Sequence, residues 1–174
     1  MIKRGSGKWL IKSKSNLVKI RLLCIGKEND SSVKAGISDF THRIARHYPV
    51  EWKIIAALKN KAVLSAKELK MKEAAIVLER LKKDDFLIAL DERGKMISST
   101  GLATMVQTKA NESIKQLVFL IGGAYGLDES VIKRANFVWS LSPLTFPHQL
   151  VRLILAEQVY RACTIIKNEK YHHA

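Results

Sequence analysis

No stretch of this sequence is apolar for the roughly 20 residues that a membrane-crossing helix needs. The most apolar late stretch, 139–155, is broken by Pro143, Pro147, His148 and Arg152. Cysteine is scarce too. Cys24 and Cys163 are the only two, each among aliphatic residues, with no Cys-x-x-Cys pair or Cys/His cluster around them. That pattern argues against a disulfide scaffold and against a zinc site; no metal is expected. It reads as two small buried hydrophobes in a reducing compartment, the cytoplasm. Two phosphate-binding signatures are missing as well. Gly26-Lys27-Glu28 does not supply the G-x-G-x-x-G of a dinucleotide fold after the first strand, which argues against a nicotinamide dehydrogenase. Gly5-Ser6-Gly7-Lys8 lacks the spacing and the preceding strand of a P-loop. Acid is the last shortage. Sixteen Asp plus Glu face 30 Lys plus Arg, a formal charge of +14.

Such a balance speaks to partners, not to fold. It suits nucleic acid or another anionic surface, or serves solubility alone. Residues 1–16 carry five of the positives (Lys3, Arg4, Lys8, Lys12 and Lys14) and no acid. Removing those five charges leaves +9, so the rest of the chain is itself basic. Residues 1–16 read as a flexible basic extension, too short and too interrupted for a signal peptide. Residues 17–174 suit one domain, long enough to bury a core without disulfides or metal.

From residue 17 onward, strand and helix patterns alternate. Aliphatic runs at 17–25, 50–57, 86–90, 116–121 and 137–140 read as strands. Helices are expected at 31–48, 65–81, 98–110, 128–135 and 147–168. Ser65 followed by Glu68 is a capping box, and Asp128 is an acidic cap. Five strands with interleaved helices predict an α/β fold: a mostly parallel sheet with helices on both faces.

In such sheets ligands sit beyond the carboxyl ends of the strands. Three loops lie there. Leu90-Asp91-Glu92-Arg93-Gly94 supplies two carboxylates that also pass as a solvated pair. Ile121-Gly122-Gly123-Ala124-Tyr125-Gly126 runs from a strand toward a helix; it is either a tight turn or a place where backbone N–H groups approach a ligand. Leu141-Ser142-Pro143-Leu144-Thr145-Phe146 mixes apolar side chains with hydroxyls, which suits a purine, or is a plain lead-in to the last helix. That helix is apolar on more than one face, as a deeply buried or interfacial helix would be. Arg152 and Arg161 interrupt it, either as phosphate ligands or as partners of Glu157. Lys170-Tyr171-His172-His173-Ala174 is either a frayed terminus or a segment that folds over a nucleotide, with Tyr171 stacking.

The residues Leu90-Asp91 with Gly94, Phe119-Leu120-Ile121-Gly122-Gly123 with Gly126-Leu127, Trp139-Ser140-Leu141-Ser142, Thr145, Pro147-His148, Leu150-Val151-Arg152, Glu157-Gln158-Val159-Tyr160-Arg161-Ala162 and Tyr171-His172 occur in an order and spacing that resembles the RlmH family. These are large-subunit rRNA pseudouridine N3-methyltransferases of the SPOUT superfamily. The resemblance runs from about residue 17 to 174 and is most specific at its end. It implies a SPOUT-type sheet with a C-terminal trefoil knot, a homodimer, and S-adenosylmethionine as the methyl donor. It implies cofactor contacts at Leu90, Gly122, Gly123, Leu141, Ser142, Pro143, Leu144, Thr145 and Phe146. It implies that Tyr171 and His172 complete the catalytic site of the partner subunit. His148, Arg152 and His173 fall on the RNA side. The substrate so implied is N3 of a pseudouridine in large-subunit (23S) rRNA, methylated on assembled ribosomes without metal or membrane. A SPOUT enzyme acting on tRNA, or a non-catalytic ribosome- or RNA-binding protein, are the rival readings.

Overall fold

The computed structural model describes residues 18–58 and 63–171; the expected basic extension, His172 and His173 lie outside the described residues. Along the chain run β1 (Lys19–Gly26), α1 (Ser31–Ala45), β2 (Val50–Ala56), α2 (Ala66–Glu79), β3 (Phe86–Met96), α3 (Ser99–Asn111), β4 (Gln116–Ile121), α4 (Glu129–Arg134), β5 (Phe137–Ser140) and α5 (His148–Ile166). The strands form one sheet in the order β2-β1-β4-β3-β5, and every neighbouring pair is parallel. The expected mostly parallel sheet is thus wholly parallel among the described residues.

The sheet's two faces follow from the two-residue period of a strand. Ile20, Leu22 and Cys24 of β1 and Leu117, Phe119 and Ile121 of β4 point to one side, where Ile44 of α1, Leu102 and Val106 of α3, and Leu155 and Val159 of α5 cover them. Leu23, Ile25, Val118 and Leu120 point to the other, under Ala74 and Val77 of α2 and Val131 of α4. All six residues of β4 are buried. Each fully buried Leu, Ile or Phe contributes roughly 1.5–3 kcal/mol. Both cysteines are free and buried. Burial pushes the Cys24 thiol up to about 11 and the Cys163 thiol up to about 12, so neither is a nucleophile at neutral pH.

Local chemistry sets the helix starts. Ser65 accepts from Glu68 N at 3.2 Å while Glu68 Oε2 accepts from Ser65 N at 2.9 Å, the reciprocal box that opens α2. Asp128 accepts from Ser130 N at the start of α4. One boundary departs from the sequence reading. β3 does not stop at Leu90; it runs to Met96. Leu90 and Lys95 both pair with Trp139 of β5, so residues 91–94 bulge out between them. The polar run read as a loop because it is charged and ends in glycine, yet its backbone returns to the strand edge, with Glu92 and Arg93 exposed.

Candidate functional site

The carboxyl ends of β3, β4 and β5 open onto a cavity of about 570 Å³. That volume lies within the range of small-molecule sites. Its wall is built from the three loops in turn. Leu90, Asp91, Glu92 and Arg93 come from β3 and its bulge; Ile121 through Leu127 follow β4; Leu141, Ser142, Leu144, Thr145 and Phe146 follow β5. Lys70 of α2 and His148 and Val151 of α5 complete it.

Glycine permits close packing around these loops. Residues 123–126 form a tight turn, in which Gly126 N donates to Gly123 O at 2.9 Å and Gly126 holds φ +78°. A Cβ on Gly122 would stand 3.0 Å from the Gly126 carbonyl carbon, and one on Gly123 would stand 2.4 Å from Glu73 Oε2. Gly94 presses on β5 itself: its Cβ would lie 2.7 Å from the Val138 backbone. After β5, the Ser140 hydroxyl donates to Ser142 O at 3.0 Å and the Ser142 hydroxyl accepts from Leu144 N at 3.0 Å, which curls 140–144 into a compact turn. Leu144 and Tyr125 stand exposed at the rim.

Charge of both signs meets at the cavity. Arg93 grips Asp91 through Nε (2.9 Å) and Nη2 (3.1 Å) and reaches Glu129 at 3.1 Å. Those hydrogen bonds hold the Asp91 carboxyl below the usual carboxylate range, with the nearby Lys70 ammonium adding to the effect. Asp91 is therefore ionised at neutral pH. Trp139 closes the floor, packed edge-on against Phe119 at 6.3 Å; its buried indole N–H has no acceptor among the described residues.

Of the expected cofactor contacts, Leu90, Gly122, Gly123, Leu141, Ser142, Leu144, Thr145 and Phe146 all line this cavity; Pro143 does not. His148, expected on the RNA side, lines it too and is exposed. Arg152 sits elsewhere. It is 1% exposed, and its Nη1 donates to Lys27 O (2.8 Å) and Asn29 Oδ1 (2.9 Å), which staples the β1–α1 loop to α5. In this chain it faces no solvent. Tyr171 also stands apart from the cavity, packed on α5 beside Glu157, Tyr160 and Arg161. Lys70 went unnoticed in the sequence reading, because nothing in a helical run of lysines marks the one that faces a neighbouring loop.

A family model described as a predicted SPOUT methyltransferase matches residues 18–172. The chain is 46% identical over 156 residues to the ribosomal RNA large subunit methyltransferase H of Cytophaga hutchinsonii, covering 90% of this chain and all of that protein. To the protein of the same name from Flavobacterium johnsoniae it is 44% identical over 154 residues, covering 88% and 98%. The Parabacteroides distasonis protein of that name is 41% identical over 156 residues, covering 90% and 99%. Among solved structures, a probable methyltransferase from Bordetella pertussis superposes with a TM-score of 0.53 at 12% identity, over 86% of this chain and 97% of that one. That last likeness speaks to the fold alone.

Proposed function

The chain belongs to the SPOUT methyltransferase family, and on that premise we propose that it transfers a methyl group from S-adenosylmethionine to N3 of a pseudouridine in large-subunit rRNA on assembled ribosomes. One observation carries the reading: loops after three adjacent parallel strands converge on a single cavity of small-molecule size.

The residues fit that cofactor. Gly122 and Gly123 let the loop after β4 fold tightly against Gly126, Leu127 and Glu73 while it lines the cavity. Leu90, Leu141 and Phe146 offer apolar contact to a purine, Ser142 and Thr145 offer hydroxyls, and Lys70 and Asp91 offer one charge of each sign to a zwitterion. When bound, S-adenosylmethionine supplies a methyl group already activated by its sulfonium charge. The chain's own work is then to orient and to exclude water, which is where most of the rate gain of a two-substrate reaction lies. The loops after β4 and β5 hold the donor, and Leu144 and Tyr125 at the rim shield it. The N3 proton leaves to a base: His172, a carboxylate or a water. His148 on the cavity wall approaches the RNA. Arg152 acts at one remove, by fixing the β1–α1 loop.

The exposed apolar rim and Leu150 at 39% exposure support a homodimer with α5 near its interface, since apolar area of this kind is usually covered. The proposal extends to a trefoil knot at the chain's end, which the family membership supports. Such threading is rare. Among the described residues no helix is long and apolar enough to cross a membrane, and no cluster of three or more His, Cys, Asp or Glu is placed to hold a metal. The proposed location is the cytoplasm, where ribosomes are.

The test is to incubate the protein with methyl-labelled S-adenosylmethionine and, separately, unmodified ribosomes, naked rRNA and bulk tRNA. Label at one pseudouridine of the large-subunit RNA, on ribosomes, is the expected result. Label on tRNA would keep the cofactor and move the substrate. Saturable binding of S-adenosylmethionine with no label on any RNA would reject the catalytic reading.

A further inference from the structure

Helix α2 buries Leu69, Glu73, Ala74 and Val77. Positions 69, 73 and 77 are four apart, so they form one line along the helix. Leu69 and Val77 suit that line. A carboxylate between them does not, because taking a charge out of water is costly. Glu73 is nevertheless only 4% exposed.

The carboxylate lies against the loop after β4. A Cβ on Gly123 would have Glu73 Cδ and Oε1 at 3.0 Å and Oε2 nearer still. Glu73 therefore fills the volume that a side chain at 123 would need. Gly122, one residue earlier, has different neighbours: a Cβ there would meet the Gly126 carbonyl carbon at 3.0 Å and Leu127 at 3.1 Å. Backbone conformation does not ask for glycine at 123, since the glycines with positive φ among the described residues are Gly26 and Gly126. Gly123 is buried, while Ala124, Tyr125 and Gly126 after it are exposed, so the turn is enclosed at its root and open at its tip. Gly123 lines the cavity; Glu73 does not, although Lys70, about one turn earlier on the same helix, does. Glu73 thus stands behind the wall that Gly123 presents.

We propose that Glu73 is a positioning residue for the methyl donor: its carboxylate backs Gly123 and sets how far the loop after β4 reaches into the cavity. The proposal rests on the reading of that cavity as the S-adenosylmethionine site, and it names what holds one of its walls. Glycine is required at 123 by Glu73, not by the donor and not by φ.

A double-substitution cycle tests it. Wild type, Glu73→Ala, Gly123→Ala and the double variant are compared by unfolding midpoint and by calorimetric titration with S-adenosylmethionine. In the wild-type background, Gly123→Ala is expected to lower the midpoint and to weaken binding about tenfold or more, the scale of a forced overlap in a packed site. With Glu73 cut back to Ala, the same substitution is expected to change binding by no more than about twofold, because the obstacle is gone. An equal loss in both backgrounds would overturn the pairing. Glu73→Val stops one carbon short of the carboxylate and keeps the line 69–77 apolar; it replaces Glu73→Ala in the cycle if that variant does not fold.

The positioning role has its own signature. On ribosomes, Glu73→Ala is expected to raise the KM for S-adenosylmethionine about tenfold and to leave turnover at saturating donor within about threefold of wild type. Glu73→Gln, which keeps the shape, is expected to restore most of the affinity. Wild-type affinity in a folded Glu73→Ala would overturn the role, and so would lost turnover at an unchanged KM. No S-adenosylmethionine binding by the wild type would overturn the cofactor reading, and the positioning role with it; the midpoints, which need no ligand, separately decide the pairing.

Discussion

Gly126 lines the cavity and Gly94 follows the cavity-lining residues 90–93 on β3, and each resists a side chain for its own reason. At Gly94 the obstacle is space: a Cβ would meet the Val138 and Trp139 backbone at 2.7–2.8 Å, and strand backbone cannot rotate away. At Gly126 there is open space, but φ is +78°. Gly94→Ala should therefore cost about 1–3 kcal/mol of overpacking and displace β5, weakening S-adenosylmethionine binding as well. Gly126→Ala should cost about 1–2 kcal/mol, the left-handed penalty, with a smaller effect on binding. Chemical denaturation and calorimetric titration of the two variants check this; equal loss of affinity in both would refute the distinction. The Asp91–Arg93 pair gives a pH signature. Its carboxyl is held below the ordinary range by the Arg93 hydrogen bonds. The folded chain thus keeps Asp91 ionised to lower pH than the unfolded chain does. The stabilisation is present above about pH 4, the unfolded value, and is lost as pH falls through the folded value. Arg93 is 60% exposed, so the effect at pH 7 should not exceed about 1 kcal/mol. The stability difference between wild type and Arg93→Gln should close below pH 4; a difference constant from pH 7 to pH 3 would sink the assignment.

Helix α2 carries the clearest local code in the chain. Replacing Ser65 by Ala removes the acceptor for Glu68 N and should cost about 1 kcal/mol, a fall of about 2–4 °C in Tm for a domain of this size. An unchanged Tm would show that tertiary packing alone holds that end. The elements legible in the sequence were those with such signals: the capping box at Ser65, the acidic cap at Asp128, and the short aliphatic runs of β1, β4 and β5. The loops after β4 and β5 were legible as turns beyond the carboxyl ends of their strands, and both line the cavity; residue type alone leaves open whether they hold a ligand. What was not legible depends on neighbours far along the chain. β3 runs past Leu90 only because β5 offers an edge for Lys95 and Met96 to rejoin. Arg152 read as a phosphate ligand or a partner of Glu157; its burial needs the Lys27 carbonyl and Asn29 side chain, more than 120 residues earlier. Lys70 joins the cavity because the sheet order sets α2 beside the β4 loop, and pattern within α2 carries no trace of that.

At the scale of the whole molecule, a formal charge of +14 makes RNA binding depend steeply on salt. With six or more phosphate contacts, affinity should fall about a thousandfold or more between 50 and 200 mM salt. Filter binding across that range tests it, and a flat profile would mean that the excess charge lies away from the RNA. The sheet order carries a further consequence, for how the chain is made. β1 is flanked by β2 on one side and β4 on the other, and Lys19 pairs with Gln116. At about 5–20 residues per second of synthesis, β1 therefore waits about 5–20 s for its second partner. The central strand of the finished sheet is the fourth to emerge, and α5, which covers Phe119 and Trp139, comes last. Until β4 arrives β1 has an open hydrogen-bonding edge, and until α5 arrives one face of the young sheet is covered only in part, by α1 and α3, two features that invite strand-to-strand aggregation. The yield of native protein in a cell should consequently track the pace of translation and the supply of chaperones more closely than it tracks the stability of the finished fold.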